Sequence, residues 1–427
     1  MIKKEKKTLP AVRSWYKVDN AANMYSIARS KNFSRTYRNS VVLSENIDIE
    51  TMQRALEKTA KRFPTMNTVL RTGAFWSYLE HTDRVPKIEE ELCIPARYIL
   101  HNGEDSLCYR VNVYKNRLSI DMFHGLADGA GALAFLKTLV VTYYELKGIH
   151  PVSYCGVANT ADEPSPAEVE DSSPKYAVPV KRAVKPKQPP VYIGENDQIE
   201  DFVRFVYGRF PVSTVKTVAK QYRLTITEYL VAAMIMMFIH CSDEPIDLPI
   251  KISIPVDLRR RFPSDTVRNF VFMTEAVFDP HGKKDISFDT VADAIRGRAA
   301  LGASPEALQK ALSINVAAEK NIVTSAVPYP IKQLVMRKSY EDMQYSYTTL
   351  LSNLGEIKFP PEIQSHVLEA DCCLCKTPFL HFGCAAVSFN GVMNLSFTSA
   401  NRNTEREKYF FRLLASHGIP VRIDSSI

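Results

Sequence analysis

The chain has 427 residues, of which 45% are hydrophobic and 24% charged. That composition excludes disordered and fibrous classes and fits an ordinary globular protein long enough for two substantial cores. The net charge of +7 comes without a basic stripe interleaved with aromatics, which argues against nucleic acid and for an anionic cofactor or substrate.

In chain order, Met1 to Lys7 is basic, but no apolar run follows it, so it does not read as a signal peptide. Eight cysteines without a secretion signal predict reduced thiols in a cytoplasmic protein. Val41 to Leu43 reads as a strand. Asp48 is placed to cap a helix that carries Ile49, Met52, Leu56 and Thr59 on one face. That helix ends at Arg62-Phe63-Pro64, because a proline disfavours helical geometry in the residue before it. Phe75 to Glu80 and Cys108 to Tyr114 are further strands, so the first half reads as α/β, a sheet partly covered by helices.

The informative stretch comes next. Leu118, Ile120 and Met122 alternate with Ser119, Asp121 and Phe123, the period of a strand. Then Ala132, Leu133, Phe135, Leu136, Leu139, Val140 and Tyr143 recur at helical spacing. His124 therefore sits where a strand ends, and Asp128-Gly129 where a helix begins. Gly125, Gly129 and Gly131 allow tight turns and close approach by a ligand or a neighbouring strand. An imidazole there can take a proton from a hydroxyl or amine near neutral pH. Two plainer readings compete. In one, His124 only satisfies a strand end. In the other, His124 and Asp128 are metal ligands at i, i+4, but the glycines and the strand pattern speak against a helix, and no third ligand is nearby.

His124-Gly-Leu-Ala-Asp128-Gly129 resembles the HxxxDG motif of the CoA-dependent acyltransferase superfamily. That superfamily includes chloramphenicol acetyltransferase, the condensation domains of nonribosomal peptide synthetases and the alcohol O-acetyltransferases. The spacing is one residue shorter than the HxxxxD of glycerolipid acyltransferases. The strand, helix and Arg-Phe-Pro order of the first half also resembles alcohol acetyltransferases and condensation domains.

From 158 to 192 the character changes. Asp162, Glu163, Glu168, Glu170 and Asp171 are followed by Lys175, Lys181, Arg182, Lys185 and Lys187, with seven prolines between 164 and 190. This reads as an exposed, mobile linker between an N-terminal subdomain (1–157) and a C-terminal one (193–427). Phe202 to Tyr207 is a strand candidate, and a short helix runs from about Ser213 to Tyr222. Thr225-Ile-Thr-Glu228 is a capping box heading the apolar run Tyr229–Ile239, too short to span a bilayer and suited to a buried helix. A strand ending in Pro255-Val-Asp-Leu-Arg259, followed by Arg268-Asn269-Phe270, again resembles alcohol acetyltransferase-like sequences. In the superfamily the motif aspartate is structural and pairs with an arginine. Arg259 is the candidate partner for Asp128 here, and solvated surface is its alternative.

Tyr345 to Gly355 reads as a strand ending in a turn. Its Ser352-Asn353-Leu-Gly resembles a short segment of wax-ester and alcohol acetyltransferase relatives, where Ser352 and Asn353 could donate to an oxyanion. Leu380 to Phe389, Asn390-Gly391 and Val392 to Ser399 form a hairpin signal with a type I′ turn. Cys372, Cys373, Cys375 and Cys384 lack zinc-site spacing and read as buried thiols, with no metal.

The resemblance implies two chloramphenicol-acetyltransferase-like α/β subdomains in a V around a central tunnel, with His124 as general base. It implies acyl-CoA as cosubstrate, no bound cofactor, and a small-molecule hydroxyl or amine acceptor. An acyl carrier protein as donor, in a condensation-type or polyketide-associated enzyme, is the alternative. A non-catalytic binding module on the same fold is a second one.

Overall fold

A computed structural model describes residues 12–27, 35–91, 95–96, 99, 106–180, 189–191, 203–298, 302–319, 327–375 and 382–426. The first half runs β1 (Trp15–Lys17), α1 (Asn20–Ile27), β2 (Thr36–Leu43), α2 (Ile49–Arg62), β3 (Thr68–Thr72), β4 (Ser77–His81), β5 (Glu89–Glu90), β6 (Tyr109–Tyr114), β7 (Arg117–Phe123), α3 (Gly129–Leu146) and α4 (Ser173–Tyr176). The second runs β8 (Arg204–Pro211), α5 (Val212–Gln221), α6 (Ile226–His240), β9 (Ile250–Asp257), β10 (Val271–Phe278), α7 (Phe288–Ile295), β11 (Thr349–Glu356), β12 (Val367–Cys373), β13 (Phe382–Phe389), β14 (Val392–Ser399) and β15 (Arg422–Ser425). Helices Pro305–Glu319, Tyr329–Gln344, Pro361–Gln364 and Glu405–Ser416 and a short 3-10 turn at Leu258–Arg260 complete the second half as described.

Two main cores form, one around each half, and the first also takes in Ile357, Phe359, Val387 and Phe389 from the second half. In the first, α2 and α3 lie on the sheet ordered β12-β2-β7-β6-β5. Asp48 caps α2 by accepting from the Thr51 amide at 2.8 Å, and the helix buries Met52, Ala55, Leu56 and Thr59. α3 adds Phe135, Leu136, Leu139, Val140 and Tyr143 to the same core. In the second, a sheet ordered β10-β9-β11-β13-β14-β8-β15 packs on α6. Every residue of α6 from Tyr229 to Ile239 is buried, so its apolar run is a core helix. Among the described residues no single helix is long and apolar enough to cross a membrane. Thr225 and Glu228 form the capping box in both directions, at 3.2 and 2.9 Å.

The cut at 192/193 does not separate the two halves cleanly. β12 belongs to the second half by sequence but pairs antiparallel with β2 of the first sheet, with Ala370 opposite Val41 and Cys372 opposite Asn39. Asp371 forms an ion pair with Arg117. β14 holds the same strand from the other side: Ser396 Oγ donates to the Cys372 carbonyl at 2.6 Å, and Thr398 Oγ1 to that of Leu374 at 2.9 Å. β12 is thus a seam between two sheets. Its Cys372 and Cys373, with Cys384 on β13, are buried, and burial pushes all three thiols up.

The segment expected to be a mobile linker is not one over its described part. Glu168 accepts two bonds from Arg62, at 2.6 and 2.7 Å. The Glu168 carbonyl accepts from the Val267 amide at 2.9 Å, and that of Glu170 from Thr266 Oγ1 at 2.7 Å. Val169 and Ser172 are buried. Composition suggests solvation, but Arg62 of the first half fixes the Glu168 carboxylate and Thr266 and Val267 of the second fix the chain around it. The basic end, Lys181 to Lys187, lies outside the described residues, as do Leu380 and His381 of the predicted hairpin strand. The turn of that hairpin has Asn390 and Gly391 at φ of 47° and 76°, and Phe389 faces Val392, as a type I′ turn requires. β11 begins at Thr349 rather than Tyr345 and does not stop at Ser352-Asn353-Leu-Gly. It continues to Glu356 through an irregularity at which Gly355 takes φ +80°.

Replacing Thr225 with Ala is expected to cost about 0.5–2 kcal/mol, the usual range for a lost N-cap, whereas Thr225→Asp retains most of it. Urea midpoints at constant slope check this. Equal midpoints for Ala and wild type would contradict it.

Candidate active site

His124 follows directly on β7. Its amide donates to the Arg35 carbonyl at 2.8 Å, one residue past the last strand pair, and the Leu126 amide closes a turn on Phe123. Tyr37 on β2 holds the rest of that turn: its hydroxyl, at 2.9 Å from both, donates to the carbonyls of Ala127 and Asp128. Burial, then the neighbouring Asp128 charge, pushes the Tyr37 phenol well up, so it stays a donor.

The half-buried ring of His124 lies between aromatics. Tyr25 of α1 stacks on it with centroids 4.2 Å apart and planes at 23°, and Tyr37 meets it edge-on at 5.1 Å. Its Nδ1 lies 3.2 Å from Asn269 Oδ1. Asn269 Nδ2 donates to Asp19 Oδ2 at 3.2 Å. A carboxylate can only accept, which turns the amide nitrogen toward Asp19 and the amide oxygen toward the ring. An amide oxygen also only accepts, so the proton is on His124 Nδ1 and the lone pair on Nε2. Burial lowers the imidazole pKa below its ordinary value; a bond to the residue's own backbone, then Asp128 and Asn269, oppose that, and Arg35 adds to it. The ring is neutral at neutral pH, with Nε2 as its basic atom.

Asp128 caps α3, with Oδ1 accepting from the Gly131 amide at 3.0 Å. Arg259, from the turn after β9, donates to the same carboxylate through Nη1 (Oδ2, 2.8 Å) and Nη2 (Oδ1, 3.2 Å). The Phe270 amide adds a fourth bond, to Oδ2 at 2.8 Å. Four donors saturate the two oxygens, so Asp128 is a joint and not a base. Burial works against the Arg259 charge, but Asp128 and then Asp257 outweigh it and raise its pKa. The glycines here serve close approach. A Cβ on Gly131 would lie 1.9 Å from the Val267 carbonyl oxygen, and one on Gly129 would lie 2.5 Å from Leu354 Cδ2 of β11.

Ser352 and Asn353 do not come together as paired donors. Neighbours in a strand point to opposite faces. Asn353 turns toward α6, where its Nδ2 donates to Thr227 Oγ1 at 3.1 Å while its Oδ1 accepts from the Gly355 amide at 3.0 Å. Ser352 takes the other face, half-buried, with no hydrogen bond to its hydroxyl among the described residues. Sequence reasoning singled out Arg268-Asn269-Phe270 without giving Asn269 a role, and it gave none to Asp19, Tyr25 or Tyr37. Only their meeting at one ring reveals them.

No family model and no curated protein matches the chain. Solved structures match its fold over nearly the whole length. Polyketide synthase associated protein 5 from Mycobacterium tuberculosis is 12% identical, with 94% of this chain and 97% of that one covered at a TM-score of 0.60. TRI101 of F. sporotrichioides, complexed with coenzyme A and T-2, is 11% identical over 93% and 97%, at 0.63. The TRI3 trichothecene 15-O-acetyltransferase of Fusarium sporotrichioides is 10% identical over 96% and 97%, at 0.61.

Arg259→Ala leaves a saturated carboxylate half unpaired between the two halves, and the expected loss is about 3–5 kcal/mol of stability. Arg259→Lys recovers little, since one ammonium cannot reproduce the fork. Equilibrium denaturation of both variants checks this. A loss under about 1 kcal/mol in the Ala variant would mean the pair is merely a surface contact.

Proposed function

From the fold of the CoA-dependent acyltransferases we infer that this chain moves an acyl group, acetyl in the simplest case, from acyl-CoA to the hydroxyl of a small molecule. The observation that carries the reading is the placement of His124, whose Nδ1 lies 3.2 Å from Asn269 Oδ1; an amide oxygen there accepts a bond from the Nδ1 proton and leaves the lone pair on Nε2. Nε2 would take the proton of the acceptor hydroxyl as that oxygen attacks the thioester carbonyl. Collapse of the tetrahedral intermediate expels the CoA thiolate, which recovers the proton from the imidazolium. Ester and free CoA result, no acyl-enzyme forms, and the histidine ends as it began. Holding donor and acceptor together supplies much of the rate. Ser352 is the side chain we assign to the developing oxyanion, because its hydroxyl has no hydrogen bond among the described residues and is on the face of β11 opposite Asn353. CoA-bound TRI101 and the O-acetyltransferase TRI3 support an acyl-CoA donor and a hydroxyl acceptor.

A donor on an acyl carrier protein is the second reading, favoured by the likeness to a polyketide synthase associated protein. The thioester chemistry is the same, and only the carrier of the thiol differs.

His124→Ala is expected to lower acceptor-dependent CoA release by about 10²–10⁴-fold, the usual worth of a general base, with unchanged thermal unfolding. Near wild-type turnover in that variant would reject the mechanism. Acceptor-stimulated product from an acylated carrier protein but not from acyl-CoA would select the second reading, and saturable binding of acyl-CoA without release would point to a binding module. In wild type, kcat/KM rises with pH as the imidazole loses its proton. Because burial lowers that pKa, the acid limb is expected below about 6.5. A limb above 7 would contradict the assignment.

A further inference from the structure

We propose that Asp19 and Asn269 are positioning residues that set the tautomer of His124, with Asp19 as the node that also places the ring. The three residues come from separate parts of the chain, and the two that act on the half-buried ring have almost no access to water. Asp19 and Asn269 are 1% and 2% exposed. One Asp19 oxygen, Oδ2, accepts from Asn269 Nδ2. The other, Oδ1, accepts from the Ala22 amide at 2.8 Å, in the first turn of the helix whose Tyr25 stacks on His124. Asp19 therefore reaches the imidazole twice, through the amide that bonds Nδ1 and through the helix that lays a ring against its face.

The direction of the chain of bonds matters more than its length. A carboxylate at position 19 admits only the amide nitrogen of Asn269, so only the amide oxygen is left for Nδ1. An amide at position 19 could accept or donate, and Asn269 could then turn over and offer its NH₂ to Nδ1. That moves the ring proton to Nε2 and removes the lone pair an acceptor hydroxyl needs. A structural triad of carboxylate, amide and imidazole thus does what an orienting carboxylate does when it touches histidine directly, without adding its charge to the ring.

The charges facing these groups are few. Asp19 has Arg268 Nη2 at 3.5 Å and feels Asp171 from the segment before α4; burial, the largest influence, pushes its carboxyl up to about 6. Asp171 is itself raised by burial and held back by Arg268. His124 faces Asp128, Arg35, and the Tyr25 and Tyr37 rings. Arg268 donates to the Lys17 carbonyl at 2.6 Å, which fixes that cation beside Asp19.

That Nε2 acts as a base rests on the acyl-transfer reading. The tautomer does not, so it is measured first. Full-length protein labelled with ¹⁵N-histidine, with His124→Gln identifying the signal, is expected to show protonated Nδ1 and bare Nε2 at pH 8. Asp19→Asn should convert a large share of it to the other tautomer. In the double variant Asp19→Asn/Asn269→Asp the amide and carboxylate exchange places. There the Nδ1-protonated form should return, and the histidine pKa should rise by about one unit because a charge now touches the ring. Where acyl transfer is measurable, Asp19→Asn lowers kcat on the order of 10- to 100-fold with KM within about twofold, and the double variant recovers kcat with its acid limb moved up. If Asp19→Asn does not fold, Asn269→Asp alone carries the test, since a carboxylate on Nδ1 must raise the imidazole pKa. An unchanged tautomer in Asp19→Asn, or an unchanged pKa in either variant with aspartate at 269, overturns the proposal. Absence of turnover in wild type beside the expected tautomers would count against the acyl-transfer reading alone.

Discussion

The fold depends on one ion pair at the meeting of its two halves. Asp128 begins α3 in the first half and Arg259 follows β9 in the second, and their two bonds of 2.8 and 3.2 Å do more than hold surfaces together. The same guanidinium donates to the carbonyls of Thr266 and Arg268, at 2.8 and 2.5 Å, and Asp128 accepts from the Phe270 amide. The segment from Thr266 to Phe270 is thereby clamped along its length, and Asn269 is in it. An exposed pair would be worth little. Here the carboxylate is buried, and all its acceptor sites are used, so the geometry around it has few alternatives.

That clamp explains why Asp128 and His124, four residues apart, do different things. Asp128 spends its charge on the second half. His124, on the turn that Asp128 and Tyr37 hold, receives from the second half an amide oxygen and not a charge. The result is an imidazole whose Nδ1 faces an amide oxygen and whose pKa burial depresses. β12 supports the arrangement from a distance. By pairing with β2, the strand that carries Tyr37, it ties the second half to the sheet on which the histidine turn is built.

Much of this was legible in the sequence where the signal is local. The alternation up to Phe123, the helical stripe from Ala132 and the capping box at Thr225 each fixed an element, because period and cap chemistry are properties of adjacent residues. The Asp128–Arg259 contact, 131 positions apart, could be guessed only from charge and from the resemblance. Nothing local marks Asn269 or Asp19, since an asparagine beside an arginine and an aspartate before a short helix are ordinary surface features until the chain folds. The acidic stretch before α4 misled for the same reason: its composition is that of a tether, and its partners Arg62 and Thr266 are remote. Ser352 and Asn353 are oxyanion candidates by the resemblance of their segment, but neighbours in a strand face opposite ways and only Ser352 is left for that role.

The chemistry inferred here has the acyl group pass directly from thioester to acceptor, with no residence on the protein. Single-turnover measurement of CoA release, with enzyme in excess and with or without acceptor, tests that most directly. The account predicts free CoA at a catalytic rate only when the acceptor is present, and slow background hydrolysis otherwise. A burst of CoA equal to the enzyme concentration without acceptor would reveal an acyl-enzyme and contradict it.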